Sequence, residues 1–160
     1  MRPLRWLLLA LGLLALPPAV FAEQSPRFEL PGLSQESVRL SDYRGQLVAV
    51  NFWAPWCPPC RAEIPELVAF HRAYEDTVVL GLALDSKRKA VRKMADMMEI
   101  PYPVAYATNQ TAQAFGGVRA FPTTFFIGPE GEVAAEHRGP LSAQQLEDYR
   151  RRILDPEAED

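Results

Sequence analysis

The chain has 160 residues, 48% of them hydrophobic, with 17 Lys and Arg against 20 Asp and Glu. Its net charge of −3 argues against nucleic acid or anionic lipid as a partner, and the length supplies one domain with a single core. There are no internal repeats and no low-complexity stretch.

The N-terminus reads as a targeting segment. Arg2 and Arg5 give a positive start, Trp6 to Leu16 is apolar apart from Gly12, and Pro17-Pro18 breaks the run before Val20-Phe21-Ala22. Small residues then occupy both sites that a signal peptidase reads. The stretch Trp6 to Ala22 is shorter than the about 20 residues a membrane span needs, and it holds two prolines. The expectation is a signal peptide over residues 1–22, cleaved after Ala22, and a mature periplasmic domain over residues 23–160; the alternative is an uncleaved N-terminal anchor facing the periplasm. The mature part carries 15 basic against 20 acidic side chains, a net charge of −5.

Phe28 to Leu33 and Ser37 to Leu40 read as short edge strands around a turn at Pro31-Gly32, with Ser41 to Gly45 as a connector. Residues 47–53 form a near-continuous apolar run of the buried parallel kind. A helix then opens at Pro58, a favoured first position for proline. Its inner stripe is Ile64, Leu67, Val68, His71 and Tyr74, and Pro65 inside it should kink it. Thr77 to Leu84 is the next buried strand. Arg88 to Met98 is the next helix, with Val91, Met94, Ala95 and Met98 inward and Lys87, Arg88, Lys89, Arg92 and Lys93 on a solvated face. A short strand over Pro103 to Tyr106 and a short helix over Thr111 to Phe115 precede a strand pair, Thr123 to Ile127 and Glu132 to His137, joined at Pro129-Glu130-Gly131. Ser142 to Gln145 is a capping box that opens a last helix with Leu146, Tyr149 and Ile153 inward. Residues 155–160 are acidic with nothing apolar to bury, and are expected to be a disordered tail. Alternating strands and helices with a terminal hairpin make an α/β domain with helices on both faces of a mixed sheet.

The chemistry-bearing motif is Trp56-Cys57-Pro58-Pro59-Cys60, which holds the only two cysteines of the chain. A C-x-x-C between a buried strand and a helix start is the arrangement a reversible dithiol needs. The helix N-terminus directs partial positive charge at the first sulfur. A structural zinc site usually takes four ligands, and a bridge closing two intervening residues removes little unfolded-state entropy. A redox-active Cys57–Cys60 disulfide is the reading, with Cys57 attacking from an exposed helix start and Cys60 resolving.

The segments Asn51 to Glu63 and Val118 to Ile127 closely resemble thioredoxin-fold proteins, and best the exported thiol–disulfide oxidoreductases of TlpA, ResA and DsbE type. The resemblance runs from about Phe28 to Leu154. It implies a thioredoxin-like fold with an extra helix and strand, over residues 87–106, before a cis-proline at Pro122. It also implies clients with oxidised cysteine pairs, in cytochrome c maturation or copper-centre assembly, and a membrane thiol donor that recycles the enzyme. Asn51 stands where thioredoxin carries a buried Asp and is read as a core amide. Glu63 fills a position where the exported reductases often place a Glu, which makes it a candidate proton carrier for Cys60 rather than an exposed first-turn acid. Phe121 is bulkier than the usual residue before the cis-proline; with Trp56 it would form an apolar lip around Cys57 and, with Pro122, a client-binding edge.

His71 is read as a core-edge histidine and His137 as a residue without a partner. Met94 and Met98 are read as core residues first, with copper handling by Met94, Met97 and Met98 as a weaker alternative. The leading expectation is an exported, monomeric disulfide reductase with no cofactor, no metal and no nucleic-acid partner. The alternatives are a disulfide-forming oxidase, or a copper chaperone using Cys57 and Cys60 as ligands.

Overall fold

The computed structural model describes residues 24–156, so the expected signal peptide and most of the acidic tail lie outside the described residues. The element order is β1 (Glu29–Pro31), β2 (Ser37–Arg39), a 3-10 turn (Leu40–Tyr43), β3 (Leu47–Trp53), α1 (Pro58–Ala73), β4 (Thr77–Ala83), α2 (Arg88–Met97), β5 (Val104–Tyr106), α3 (Asn109–Ala114), β6 (Thr123–Ile127), β7 (Val133–Arg138) and α4 (Ala143–Leu154). The central sheet has the order β5-β4-β3-β6-β7, and β1 and β2 form a separate antiparallel pair. β3 pairs in parallel with β4 and antiparallel with β6, so the sheet is mixed. Every residue of β3 and β4 is buried, as expected for strands covered on both faces. This is an α/β, thioredoxin-like architecture with helices on both sides of the sheet.

The alternation of β3 divides the core into two layers. Leu47, Ala49 and Trp53 point to one face, where they join Ile64, Leu67 and Phe70 of α1, Val91, Met94 and Ala95 of α2, and Leu146 of α4. Val48, Val50 and Phe52 point to the other, with Leu30, Val38, Leu40, Ala112 and Phe115. On that second face Phe115 lies 5.3 Å from the Phe52 ring and 4.9 Å from the Phe125 ring. α2 and β5 lie between β4 and Pro122 in the chain, and β5 forms the sheet edge beside β4.

Several boundaries differ from the sequence expectation for local reasons. Leu40 to Tyr43 winds into a 3-10 turn rather than extending β2. α3 begins at Asn109, because the Thr108 hydroxyl accepts the Thr111 N–H and caps it two residues early. On α1 the buried stripe takes in Glu63 and Phe70, while Val68 and His71 are only partly buried and Tyr74 is the C-cap. α1 continues through Pro65 to Ala73. The capping box at Ser142 is formed in both directions.

Candidate active site

The site lies at the carboxyl ends of β3 and β4. β3 ends at Trp53, and the Cys57 N–H bonds back to the Ala54 carbonyl at 3.1 Å. Cys57 is the N-cap of α1, with Pro58 and Pro59 in the first two helical positions. The cap is sulfur: the Cys60 N–H donates to Cys57 Sγ at 3.2 Å. Cys57 and Cys60 form a disulfide with Cα atoms 5.4 Å apart. Cys57 is not an exposed position. It keeps 3% of its surface and Cys60 1%, because the residue is enclosed in the same core cluster as Trp53 and Ile64.

Glu63 is 2% exposed, which removes the reading of an exposed helix acid. It sits one turn beyond Cys60 on the inward face of α1 and enters a buried polar chain. Its Oε1 accepts the Leu141 N–H at 2.9 Å, and its Oε2 accepts Asn51 Nδ2 at 3.1 Å. Asn51 Nδ2 also donates to Thr124 Oγ1 at 2.9 Å. Burial pushes the Glu63 pKa up to about 7, against the pull of these two donors. Two acceptor bonds are too few to offset the desolvation of a full charge, so the carboxyl gains and loses its proton near neutrality.

Pro122 follows Phe121 through a cis peptide bond at the start of β6. The Pro122 carbonyl accepts the Gly139 N–H at 2.9 Å, whereas the backbone of Phe121 forms no hydrogen bond among the described residues. Trp56 is 56% exposed, and its ring meets Phe121 edge-on at 5.5 Å. The Trp56 indole N–H donates to the Asp85 carbonyl at 3.0 Å, and Asp85 holds a φ of 51°, a left-handed conformation that Asp tolerates better than most residues. Sequence reasoning identified Trp56 and Phe121 but not Asp85, Thr124 or the Leu141 amide. An Asp-Ser pair just past a strand is the only one of these with a local signal, as a turn former.

Of the residues read as bystanders, His71 Nδ1 accepts the Val79 N–H at 3.4 Å, and burial holds its pKa below the usual histidine value. His137 does have a partner: its Nδ1 lies 3.3 Å from the Tyr149 hydroxyl. The methionines diverge, with Met94 in the core and Met97 61% exposed. Among the described residues no group of three or more His, Cys, Asp or Glu side chains is placed to hold a metal ion.

The AhpC/TSA family profile matches residues 21–136. The chain belongs to this family. It is similar to the thiol-disulfide oxidoreductase ResA of Oceanobacillus iheyensis, with 32% identity over 79% of this chain and 69% of that one. Among solved structures it is similar to a thiol:disulfide interchange protein of the thioredoxin family from Chlorobium tepidum, with a TM-score of 0.77 and 29% identity over 83% of this chain and 97% of that one. It is also similar to a secreted thiol-disulfide isomerase from Corynebacterium glutamicum, with a TM-score of 0.76 and 27% identity over 82% and 86%. Family membership and a buried disulfide at a helix start make this chain a thiol–disulfide oxidoreductase of the TlpA, ResA and DsbE type.

Proposed function

We propose that the protein is an exported reductase of client disulfides, working through the Cys57/Cys60 dithiol. The observation that carries the direction of electron flow is the hydrogen bonding of Cys57 Sγ. It accepts one backbone bond, from Cys60, because Pro58 and Pro59 have no N–H to give. Strong oxidants of this chemistry owe their power to a well-stabilised thiolate. A thiolate with few donors is less stabilised, so the dithiol gives up its electrons more readily.

In the reaction the Cys57 thiolate attacks one sulfur of the client disulfide, and that bond breaks to release one client thiolate. The Cys60 thiolate then attacks Cys57 Sγ in the mixed disulfide and expels the second. The client gains two electrons, and the protein is left as the disulfide seen here. Glu63 takes the Cys60 proton and passes it outward, a role suited to a carboxyl that titrates near 7. The unpaired Phe121 backbone and the Trp56–Phe121 edge receive an extended client segment. A dithiol donor at the membrane restores the reduced state. Clients of cytochrome c maturation or copper-centre assembly fit this chemistry.

Equilibration with glutathione tests the direction. The expected potential is more negative than about −200 mV, and a value above about −150 mV would identify an oxidase instead. Export is supported by the N-terminal pattern of the sequence. Among the described residues no helix is long and apolar enough to cross a membrane. Mass spectrometry of envelope-derived protein should find an N-terminus at Glu23; a retained leader in the membrane fraction would make the protein an anchored one.

A further inference from the structure

Beside the disulfide runs a groove of about 430 Å³ between Pro55 and Trp56 on one side and Asp85, Ser86, Lys87 and Ala90 on the other. Two observations set this face apart. The exposed large hydrophobic side chains of the described residues are Trp56 and Met97. Met97 lies two turns beyond Ala90 on the same row of α2, and the methionine between them, Met94, is buried in the core. Lys93 sits beside that row and Lys89 next to it.

The second observation is how the cations of α2 are used. The Arg88 guanidinium covers the Tyr106 ring at 4.2 Å, and Arg92 donates to the Leu33 carbonyl at 2.7 Å. Both serve the fold. The ammonium groups of Lys87, Lys89 and Lys93 make no ion pair and no hydrogen bond among the described residues. The four ion pairs found there employ Arg39, Arg138, Arg150 and Arg151, all on other elements. The first turn of α2 holds no acid, and no side chain caps it. Asp85 is the single acid on the groove, in a protein that is acidic overall.

We infer that this face is a docking site for an acidic client segment, with an apolar side chain seated between Trp56 and Ala90 and its carboxylates over Lys87, Lys89 and Lys93. The inference deepens the reductase reading and rests on it. Charge complementarity is what commits the site to this occupant: unpaired lysines on an otherwise acidic protein attract an anionic chain and repel a basic one. The apolar walls of the groove, Pro55, Trp56 and Ala90, set where it lies, and the adjacent Phe121 backbone would pair with the same extended chain next to its disulfide.

The test uses three disulfide-closed peptides that share one core and differ only in flanks of Glu, Gln or Lys. At low salt the reduced protein should act on the Glu peptide about tenfold faster than on the Lys peptide, within the range that charge steering supplies. High salt should erase the difference. Lys87→Glu/Lys89→Glu/Lys93→Glu should invert the ratio, and the triple Gln variant, milder for folding, should bring it to unity. Equal rates on all three peptides would overturn the docking site and leave the reductase reading standing. Versions with Ser for Cys, titrated by tryptophan fluorescence, read docking whichever way electrons flow. Preferential binding of the Glu version upholds the site even if no peptide is reduced. Binding to anionic vesicles without any preference among the peptides would assign the lysines to a lipid surface and overturn the proposal.

Discussion

The two ends of the central sheet are built from the same strands and treated oppositely. Where β3 and β4 begin, charges are neutralised. Arg150 pairs with Asp76 at 2.6 Å and lies over the Tyr74 ring, while the Tyr74 hydroxyl bonds Glu147. Where they end, polar groups are less well accommodated. The Trp53 indole N–H is buried without an acceptor among the described residues, Glu63 holds a carboxyl in a place that disfavours its charge, and the Phe121 backbone is unpaired. Unsatisfied buried polar groups are uncommon in native proteins. The other such atom among the described residues, Glu132 Oε2, lies near the start of β3, so what sets the disulfide end apart from the supporting end is the raised Glu63 carboxyl and the open Phe121 backbone.

The largest effect that would sharpen this contrast comes from the cysteines. Cys57→Ser should reduce disulfide exchange to background, and Cys60→Ala should accumulate mixed disulfides visible on non-reducing gels. Turnover surviving either change would remove the site from this end of the sheet.

Next in size is the proton on Glu63. A carboxyl whose pKa rises from about 4.5 to about 7 on folding binds more protons folded than unfolded. Stability is therefore highest below about pH 4.5, falls as pH rises through the interval to about 7, and is flat with respect to this group above it, by roughly 3 kcal/mol in all. Glu63→Gln should remove that slope, so the variant gains on the wild type between pH 5 and pH 8 in urea titrations. Parallel curves would mean that the carboxyl is ionised throughout. In the reduced protein the same substitution should shift Cys57 alkylation to lower pH, by removing a nearby negative charge, and slow resolution through Cys60.

Asn51→Ala takes away the donor shared by Glu63 and Thr124. It should cost about 1–3 kcal/mol, since two buried acceptors lose a partner. A change near zero would show that the polar chain is not part of what holds β3 to β6. Smallest is Arg150→Ala at the other end, where Asp76 is half exposed. The ion pair holds the Asp76 pKa below its usual value, so its contribution is present at neutral pH and lost as pH falls through that lowered value. The expected loss at pH 7 is about 0.2–1 kcal/mol. A larger loss there would put a real determinant of stability at the end described as support alone.

What could be read from the sequence was local. The run from Leu47 to Trp53, the C-x-x-C with its prolines, and Ser142 with Gln145 each declare themselves within a few residues. The polar chain does not, because it joins Glu63 to Asn51, Thr124 and Leu141 across four separate parts of the chain. The helical period placed the edge of the α1 stripe at His71 where the fold buries Phe70 more deeply, since adjacent residues at the margin of a stripe are separated by contacts and not by periodicity. His137 meets Tyr149 only because α4 packs back beside β7. The paired cysteines were legible; the surroundings that enclose them are tertiary.

The sulfur cap on α1 makes the first turn of that helix a gauge of redox state. In most helices the capping atom is an inert oxygen, but here it is a disulfide sulfur, the atom that the proposed reaction bonds, frees and ionises. The amide proton of Cys60 points at it in the oxidised protein, so its nuclear resonance should move when the disulfide opens and again when the Cys57 thiol loses its proton. One backbone signal would then follow the occupancy of each state without a label, a dye or a client.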